Sequence, residues 1–446
     1  MRDYVVLAII LASVPAAFIN PYFGVLMWTW VAYFNPHRFT WGVAYSFPVA
    51  LALAVPTIVG TLLTKKRNSN IFTRETVLLF LLWAWFGITL FHATLVPLLN
   101  LHVANGKAQF MVITKILLMT GFTVLLTNSP KRLRLLMMVT VLSFGALAFK
   151  GALFGVRTGG DFRVWGPPDS FVADNNDFGL AMNIVLPLMF FMAGQETNRK
   201  LRLLLRGCFI AAAFVVLLTY SRGALLGLAT VMAVIVAKTR YKVLGGVFLA
   251  IAAMFVLAYA PEQWQDRMGS LAAGNLDQSA QQRLVSWKFA WNVAEAYPIT
   301  GGGLQCFNAA MYARYSKEEL PGGELSSGPH SIYFQILGEQ GFVGLGLFLF
   351  LIGGCLMSLR RLRRSVRGSP ALQWLTPYAN GLEGGFYAFL VSGAFLGRAY
   401  FDLFYQLIAC TIILKILYRN EARQLLTQPA ELPPVITREM EVVPAY

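Results

Sequence analysis

The sequence is poor in charged residues and in cysteine. Only 13% of its 446 residues are charged, whereas 57% are hydrophobic. The four cysteines show no paired spacing, so neither a disulfide framework nor a cysteine-based metal site is predicted. With so few charges, the chain contains several apolar runs that are each long enough to cross a bilayer about 30 Å thick. These two features together exclude an ordinary soluble protein.

The apolar runs predict an all-α fold. They are continuous and rich in Leu, Ala, Phe and Val, and they lack the alternation of a membrane β-strand, so helices must satisfy the backbone in lipid. Their number predicts a polytopic helical membrane protein with about 12 transmembrane helices and both chain ends inside. We interpret the short apolar stretch at 21–34 as re-entrant or interfacial, since Trp28, Trp30 and Tyr33 suit an aromatic belt.

The net charge of +16 would suggest a nucleic-acid partner in a soluble protein. Here the basic residues form short clusters between apolar runs, such as "TKKRN" (64–68), "PKRLR" (130–134) and "RRLRR" (360–364). This distribution follows the positive-inside rule, so it predicts contact with membrane lipids and no binding of nucleic acid.

The basic clusters also divide the chain. Residues 1–260 are predicted to form most of the transmembrane bundle, with an outer loop at 156–176. Residues 261–329 form a large outer loop, 330–418 the last transmembrane helices, and 419–446 a cytoplasmic tail. The two outer loops are polar, rich in glycine and too long for mere connections, so they are candidates for an external substrate site. The alternative is that they only cap the bundle.

Arginines collect on the predicted outer side, where the positive-inside rule does not require them. Arg222, in "LLTYSRGALLG" (217–227), interrupts a long apolar stretch and must lie where two helices meet at the membrane edge. Arg283 lies in a segment whose spacing of Leu284, Trp287, Trp291 and Ala294 predicts an amphipathic helix near the outer surface. Arg163 lies in the first outer loop. An arginine cluster suits a diphosphate, although a snorkelling arginine on a lipid phosphate is the alternative for Arg222.

His330 follows Gly328 and Pro329 at the point where the polar loop gives way to an apolar run. A membrane helix is therefore predicted to begin at or just before it. Neutral imidazole is the side chain best suited to accept a proton near neutral pH, and nearby arginines would keep it neutral. The alternative is an interfacial histidine that only hydrogen-bonds the loop. The glycines at 301–303 give weak support for phosphate binding, since a flexible turn explains them as well.

The acidic residues show no metal-binding pattern. The outer loops contain no Asp-x-Asp pair and no histidine cluster, so we predict metal-free chemistry without a cofactor. Three ionisable residues fall inside predicted spans, namely Lys115, Glu339 and Glu383, and each costs free energy unless it is paired. We consider pairing of Lys115 with either glutamate.

The motifs resemble those of a known family. "GPHSIYFQILGEQGFVG" (328–344) is similar to the histidine motif of the bacterial O-antigen ligase and polymerase superfamily, and the Ser221-Arg222 turn and the Arg283 region resemble its arginine sites in the same order. The N-terminal half, with "LMWTWVAYFNPHRFTWGVAYSFP" (26–48) and "RVWGPPDSFVADNNDFGLAM" (163–182), resembles O-glycosylation ligases of the exosortase system.

The resemblance implies an O-antigen ligase, a multi-pass enzyme of the bacterial inner membrane with a GT-C-like helical fold and a large periplasmic loop containing amphipathic helices. Such an enzyme transfers polysaccharide from undecaprenyl diphosphate to a sugar hydroxyl of lipid A-core on the periplasmic side. It implies His330 as the base, Arg222, Arg283 and Arg163 as diphosphate ligands, and Asn175, Asn176 and Ser221 as further substrate contacts. The alternatives are an O-antigen polymerase or a protein O-glycosylation ligase that uses the same donor and, more remotely, a transporter.

Overall fold

The computed structural model describes residues 1–68, 70–239, 242, 246 and 278–427. Every regular element in these residues is a helix, which confirms the all-α prediction for the part of the chain described. The α-helices are α1 (Arg2–Ile19), α2 (Pro21–Phe34), α3 (Val43–Ser46), α4 (Val49–Leu63), α5 (Arg74–Leu95), α6 (Pro97–Asn100), α7 (Val103–Leu126), α8 (Pro130–Arg157), α9 (Asn175–Gln195), α10 (Arg199–Leu218), α11 (Arg222–Lys238), α12 (Gln278–Ala296), α13 (Ala309–Tyr315), α14 (Ile332–Val366), α15 (Leu375–Gly393) and α16 (Asp402–Thr427).

The connections between the long helices gather at two opposite faces of the bundle. At one face, Arg134 pairs with Glu196 at 2.5 Å and Gln195 Nε2 donates to the Trp374 carbonyl at 3.1 Å. This face carries the basic clusters, and we call it the basic face. At the other, Arg38 lies 3.8 Å from Asp169, which joins the 36–39 turn to the 156–176 loop. We call it the outer face, following the predicted orientation.

The segment 21–34 is a helix that joins the two faces, so its interpretation as re-entrant or interfacial is wrong. At its start, Tyr22 donates a hydrogen bond to the Arg132 carbonyl on the basic face. At its end, the Phe34 ring packs on Phe39, over which Lys150 lies 3.9 Å from the ring centroid near the outer end of α8. Helix α2 is about 21 Å long at 1.5 Å per residue, and a helix this short carries too weak an apolar signal to be recognised as a crossing.

The path of α2 also changes the position of the N-terminus. Asp3 accepts a hydrogen bond from the Gly42 amide at 2.9 Å, and Arg2 lies 5.2 Å from the Trp41 ring centroid. The chain therefore begins at the outer face, and the prediction that both ends lie on the basic side fails. Among the described residues, seven helices are long and apolar enough to cross a membrane. The predicted count of about 12 remains a prediction, and the proposed span at 243–260 lies outside the described residues apart from Gly246.

The predicted amphipathic helix near Arg283 is present as α12, and its predicted apolar stripe is divided. Leu284 and Trp291 are 40% and 47% exposed, whereas Ala294 of the same stripe is buried. A second stripe, Val285, Phe289 and Val293, is buried against α6, α13 and the start of α7. Both stripes are apolar and both have helical spacing, so the sequence pattern could not tell which one packs. The exposed stripe suits contact with the membrane surface.

A kink in α14 ties it to the chain that follows α12. Gly341 has φ 69° and ψ −173°, which interrupts the helix and frees the carbonyls before it. The amides of Gly302 and Gly303 donate to the Gly338 and Glu339 carbonyls at 2.8 and 3.0 Å. Two amides of the glycine triplet are therefore engaged in holding the backbone, which argues against the phosphate-binding interpretation of 301–303. A Cβ at Gly301 would lie 2.5 Å from the Gly341 nitrogen, so the two backbones meet only because both residues lack side chains.

The predicted tail begins later than expected. Helix α16 continues to Thr427, and Trp374 Nε1 donates to Glu421 at 2.9 Å. Residues 419–427 are thus part of a packed helix at the basic face. The rest of the predicted tail, 428–446, lies outside the described residues.

Candidate active site

His330 lies in the turn before α14, which begins at Ile332, two residues after the histidine and so slightly later than predicted. Its φ of 47° is in the left-handed region, which is rare for a residue with a Cβ and marks a constrained backbone. Ser327 Oγ lies 3.1 Å from Nε2 of the half-buried ring. The Ser327 carbonyl in turn accepts a hydrogen bond at 3.1 Å from the hydroxyl of Tyr312, which is buried in the core of α12 and α13. The imidazole is therefore held by the packed part of the outer loop.

The loop between α15 and α16 holds the other side of this turn. A Cβ at Gly397 would lie 2.5 Å from Pro329 Cγ and 3.4 Å from the His330 nitrogen, so the chain passes close to the histidine. The next residue, Arg398, donates from Nε to Asp177 in the first turn of α9 at 2.7 Å. This ion pair fixes the loop against α9, and through it the loop fixes the position of His330.

Two charged groups act on the imidazole. Burial lowers the pKa of His330 below its ordinary 6.5, the positive charge of Arg283 lowers it further, and the negative charge of Asp174 opposes them. Arg283 and Asp174 are therefore both within electrostatic range of the ring, although 47 residues of sequence separate Arg283 from His330. The result is a neutral imidazole at neutral pH, which is the protonation state that can accept a proton.

Arg222 is the first residue of α11, at the outer face. Ser221 caps this helix, since its Oγ accepts from the Ala224 amide at 3.2 Å. The following residue, Gly223, faces Phe395, because a Cβ there would lie 3.1 Å from Phe395 Cβ. Phe395 also packs on Trp287, with ring centroids 6.4 Å apart, and Trp287 is one helical turn beyond Arg283 on α12. Thus α11 and α12 both approach Phe395. That Arg222 and Arg283 bind one diphosphate together remains a prediction.

Two of the predicted substrate contacts help to build the site. The side chain of buried Asn175 donates to the Thr219 carbonyl at 2.7 Å, which joins the start of α9 to the turn before α11. Asn176 donates from both its backbone and its side chain to Asp174 Oδ1, at 2.8 and 2.9 Å. The Asn176 bonds fix the side chain of Asp174, and direct substrate contact by Asn175 or Asn176 stays a prediction.

Arg163 lies in the loop between α8 and α9, within electrostatic range of Tyr220. It is exposed and acts on Tyr220, whose pKa is raised by burial and by Asp161 and lowered by Arg163. Arg163 also lines a cavity of about 240 Å³ together with Lys150. Arg163 is therefore near Tyr220, two positions before Arg222. Its charge affects the pKa of Tyr220, whereas the charge of Arg283 affects the pKa of His330.

The intramembrane glutamates have partners other than Lys115. Glu383 pairs with three cations near the basic face, Lys238 at 2.7 Å, Arg360 at 3.1 Å and Arg363 at 2.6 Å. Glu339 accepts from the Tyr400 hydroxyl at 2.6 Å and from the Gln305 amide at 3.0 Å. The considered pairing of Lys115 with either glutamate is therefore wrong, because both carboxylates are already neutralised or hydrogen-bonded.

A cavity of about 220 Å³ lies beside the histidine turn. Its walls include Pro329, Gln305, Glu339, Tyr400 and Arg398. Within the described residues, no group of three or more His, Cys, Asp or Glu side chains could hold a metal ion. All four cysteines are buried and unpaired.

Sequence reasoning missed three contributors to this site. Asp174 lies in the quoted 163–182 motif and Ser327 directly precedes the quoted 328–344 motif, but nothing in their spacing predicts that either acts on His330. The Arg398–Asp177 pair joins residues 221 positions apart. The one available signal was Arg398 itself, an arginine on the predicted outer side in the short loop between the last two helices.

Comparison with known families agrees with the predicted resemblance. Residues 207–349, which include Arg222, Arg283 and His330, match the O-antigen ligase family. Residues 1–197 match a family of unknown function, which leaves the resemblance to exosortase-associated ligases as a prediction. No curated protein matches the chain. The chain is therefore similar to the O-antigen ligase family over residues 207–349, the part that contains Arg222, Arg283 and His330.

Proposed function

We propose that the protein transfers a glycan from undecaprenyl diphosphate to a sugar hydroxyl of lipid A-core at the periplasmic side of the bacterial inner membrane. The observation that carries the proposal is a constrained imidazole before α14, within electrostatic range of the positive charge of Arg283, which helps to lower its pKa. A proton acceptor beside a cation suits a reaction in which a hydroxyl attacks a sugar whose leaving group is a diphosphate.

In this proposal His330 acts as the general base. We assign Nε2–H as the donor to Ser327 Oγ, which leaves Nδ1 to take the proton of the acceptor hydroxyl. The hydroxyl oxygen forms a bond to the anomeric carbon of the donor glycan while the bond from that carbon to the diphosphate oxygen breaks. The electron pair leaves with undecaprenyl diphosphate, and the imidazolium later releases its proton to water. General base catalysis contributes about 10² to 10⁴ in rate.

The arginines stabilise the leaving group. Arg283 and Arg222 bind the diphosphate by paired hydrogen bonds, and Arg163 adds positive charge near Tyr220. Negative charge grows on the diphosphate as the glycosidic bond breaks, so cations held in place lower the barrier. No metal ion is needed for this role in the proposal, because the guanidinium groups supply the charge.

The acceptor is tested by direct competition. The purified protein is incubated with undecaprenyl diphosphate-linked glycan and with equal amounts of lipid A-core and a candidate acceptor protein. We expect the lipid A-core to gain the glycan. Glycan on the protein instead would favour a protein O-glycosylation ligase, to which the N-terminal resemblance points, and lengthening of the donor glycan would favour a polymerase. If correctly folded protein transferred glycan to none of these acceptors, the transferase proposal itself would be refuted.

A further inference from the structure

A third cavity, of about 680 Å³, opens at the outer face between α2 and α7, and we call it the α2–α7 cleft. Trp28 of α2 and Asn35 at its C-terminal cap form one wall, and Lys115 and Thr123 of α7 lie in the other. The first turns of α16 contribute Gln406. None of these residues belongs to the histidine site described above.

A basic side chain, Lys115, lies deep in the cleft. Lys115 is 12 residues from the outer end of α7 at Val103, about 18 Å along the helix and thus near the middle of a bilayer about 30 Å thick. None of the ion pairs between described residues includes Lys115. A charge at this depth costs free energy unless water or an anionic or polar ligand reaches it, so the cleft must admit one of them.

Three buried polar atoms on residues that line the cleft have no hydrogen-bond partner among the described residues. They are Nδ1 of His37, Nε of Arg38 and Nε2 of Gln406. Buried polar atoms in native proteins are nearly always hydrogen-bonded, so a group of unsatisfied ones along one cavity points to a ligand that supplies the partners. Such a ligand must bear several donors and acceptors.

The rest of the lining matches carbohydrate. Trp28, Tyr45 and Phe171 offer flat apolar surfaces, while Asn35 and Gln406 offer amides that can both donate and accept. A sugar ring presents the same combination, with apolar C–H faces and hydroxyl groups around its edge. Lys115 adds one cation for an anionic substituent on the glycan.

The cleft is open on the side that faces lipid and continuous with the histidine site. Val112 is 36% exposed and Lys115 is exposed on a helix that crosses the membrane, so a lipid-anchored molecule can enter sideways. Phe171 and Arg398 line both the cleft and the small cavity beside Pro329. A glycan held in the cleft can therefore extend a hydroxyl past Arg398 toward His330.

We infer that the α2–α7 cleft binds the sugars of a lipid-anchored glycan acceptor, separately from the donor diphosphate. This inference rests on the proposed transfer reaction, whose donor it leaves unchanged. It assigns acceptor binding to the N-terminal part of the chain and catalysis to the part around His330.

The test measures binding of lipid A-core, the probe, to the full-length protein in lipid nanodiscs without donor. Trp28→Leu and Gln406→Leu should each weaken this binding about five- to tenfold, because each removes a sugar contact. Trp30→Leu is the matched control, since Trp30 is equally half-buried on the same helix but packs on Phe34 outside the cleft. It should leave binding within twofold of wild type.

Affinity for undecaprenyl diphosphate-linked glycan is measured in parallel and should not change in any of the three variants. Equal binding of lipid A-core by wild type, Trp28→Leu and Gln406→Leu would overturn the acceptor cleft. Wild-type protein that binds no lipid A-core but transfers glycan to a protein would also overturn it, while leaving the donor chemistry intact. Failure of the proposed function is distinct, since it appears as absence of transfer to every acceptor whatever the binding result.

Discussion

Adding one methyl group at Gly397 should disable the enzyme without unfolding it. The Cβ of Gly397→Ala would lie 2.5 Å from Pro329 Cγ, whereas ordinary contact begins near 3.4 Å, so the two loops must separate by about 0.9 Å. Pro329 directly precedes His330, and the imidazole moves with it. A displacement of about 1 Å of a catalytic group costs about 10² in rate, or roughly 2.7 kcal/mol of transition-state stabilisation. We therefore expect kcat for glycan transfer to fall about a hundredfold while the KM for donor changes little.

The assay is steady-state transfer by purified variants whose folding is checked by thermal unfolding. Gly346→Ala is the control, because a Cβ at Gly346 on α14 meets nothing within 4 Å, and it should retain wild-type kcat. If folded Gly397→Ala turned over at the wild-type rate, the position of His330 would not matter to the reaction, and its assignment as the base would be wrong.

Four further predictions follow from the same site. His330→Ala should bind donor normally and lose about 10² to 10⁴ in kcat, measured in the transfer assay. The transfer rate should fall only below about pH 6.5, because the pKa of His330 is lowered. Asp174→Asn removes a charge that raises this pKa, so the acid limb should move to lower pH. Arg283→Gln removes a charge that lowers it, so the acid limb should move to higher pH. Chelation by EDTA should leave the rate unchanged, and a loss restored by Mg²⁺ or Mn²⁺ would reveal a metal requirement. At Arg222 or Arg283, Arg→Lys should lower kcat/KM for the donor and Arg→Ala should lower it more. In a double-mutant cycle, the double variant should lose much less transition-state stabilisation than the sum of the two single variants, because both arginines act on one diphosphate.

The sequence predicted those features that depend on local pattern. The change from polar loop to apolar run after Pro329 located the start of α14, and apolar spacing located α12 around Arg283. Both signals come from neighbouring residues. Helix α12 contains Arg283 as predicted, and α14 begins at Ile332, two residues after His330. The family resemblance linked the Arg222, Arg283 and His330 motifs to one site, because they occur in the same order as in that family.

Features that depend on distant contacts could not be predicted in the same way. The three cations around Glu383 come from two other helices, and the considered partner Lys115 lies elsewhere. Likewise, Asp174 acts electrostatically on His330, and the neighbouring Asn175 joins the start of α9 to the Thr219 carbonyl before α11. Packing of this kind has no periodic signature, since each contact joins residues tens to hundreds of positions apart.

The crossing of α2 was missed for a different reason. It has only 14 residues and includes Pro21 and Gly24, so its length argued against a membrane span. A Cβ at Gly24 would lie 2.0 Å from Thr57 Oγ1, which shows how closely α2 and α4 approach. This close packing among helices, and not contact with lipid along its whole length, lets so short a helix run from one face to the other.

The central claim is that His330 takes the proton of the attacking hydroxyl, and single-turnover transfer tests it most directly. Wild-type protein and His330→Ala are each loaded with undecaprenyl diphosphate-linked glycan, the bound donor is quantified, and lipid A-core is added in excess. The account predicts equal donor loading, with rapid glycan transfer by wild type and a rate lower by at least about 10² in the variant. Equal single-turnover rates at equal loading would contradict it.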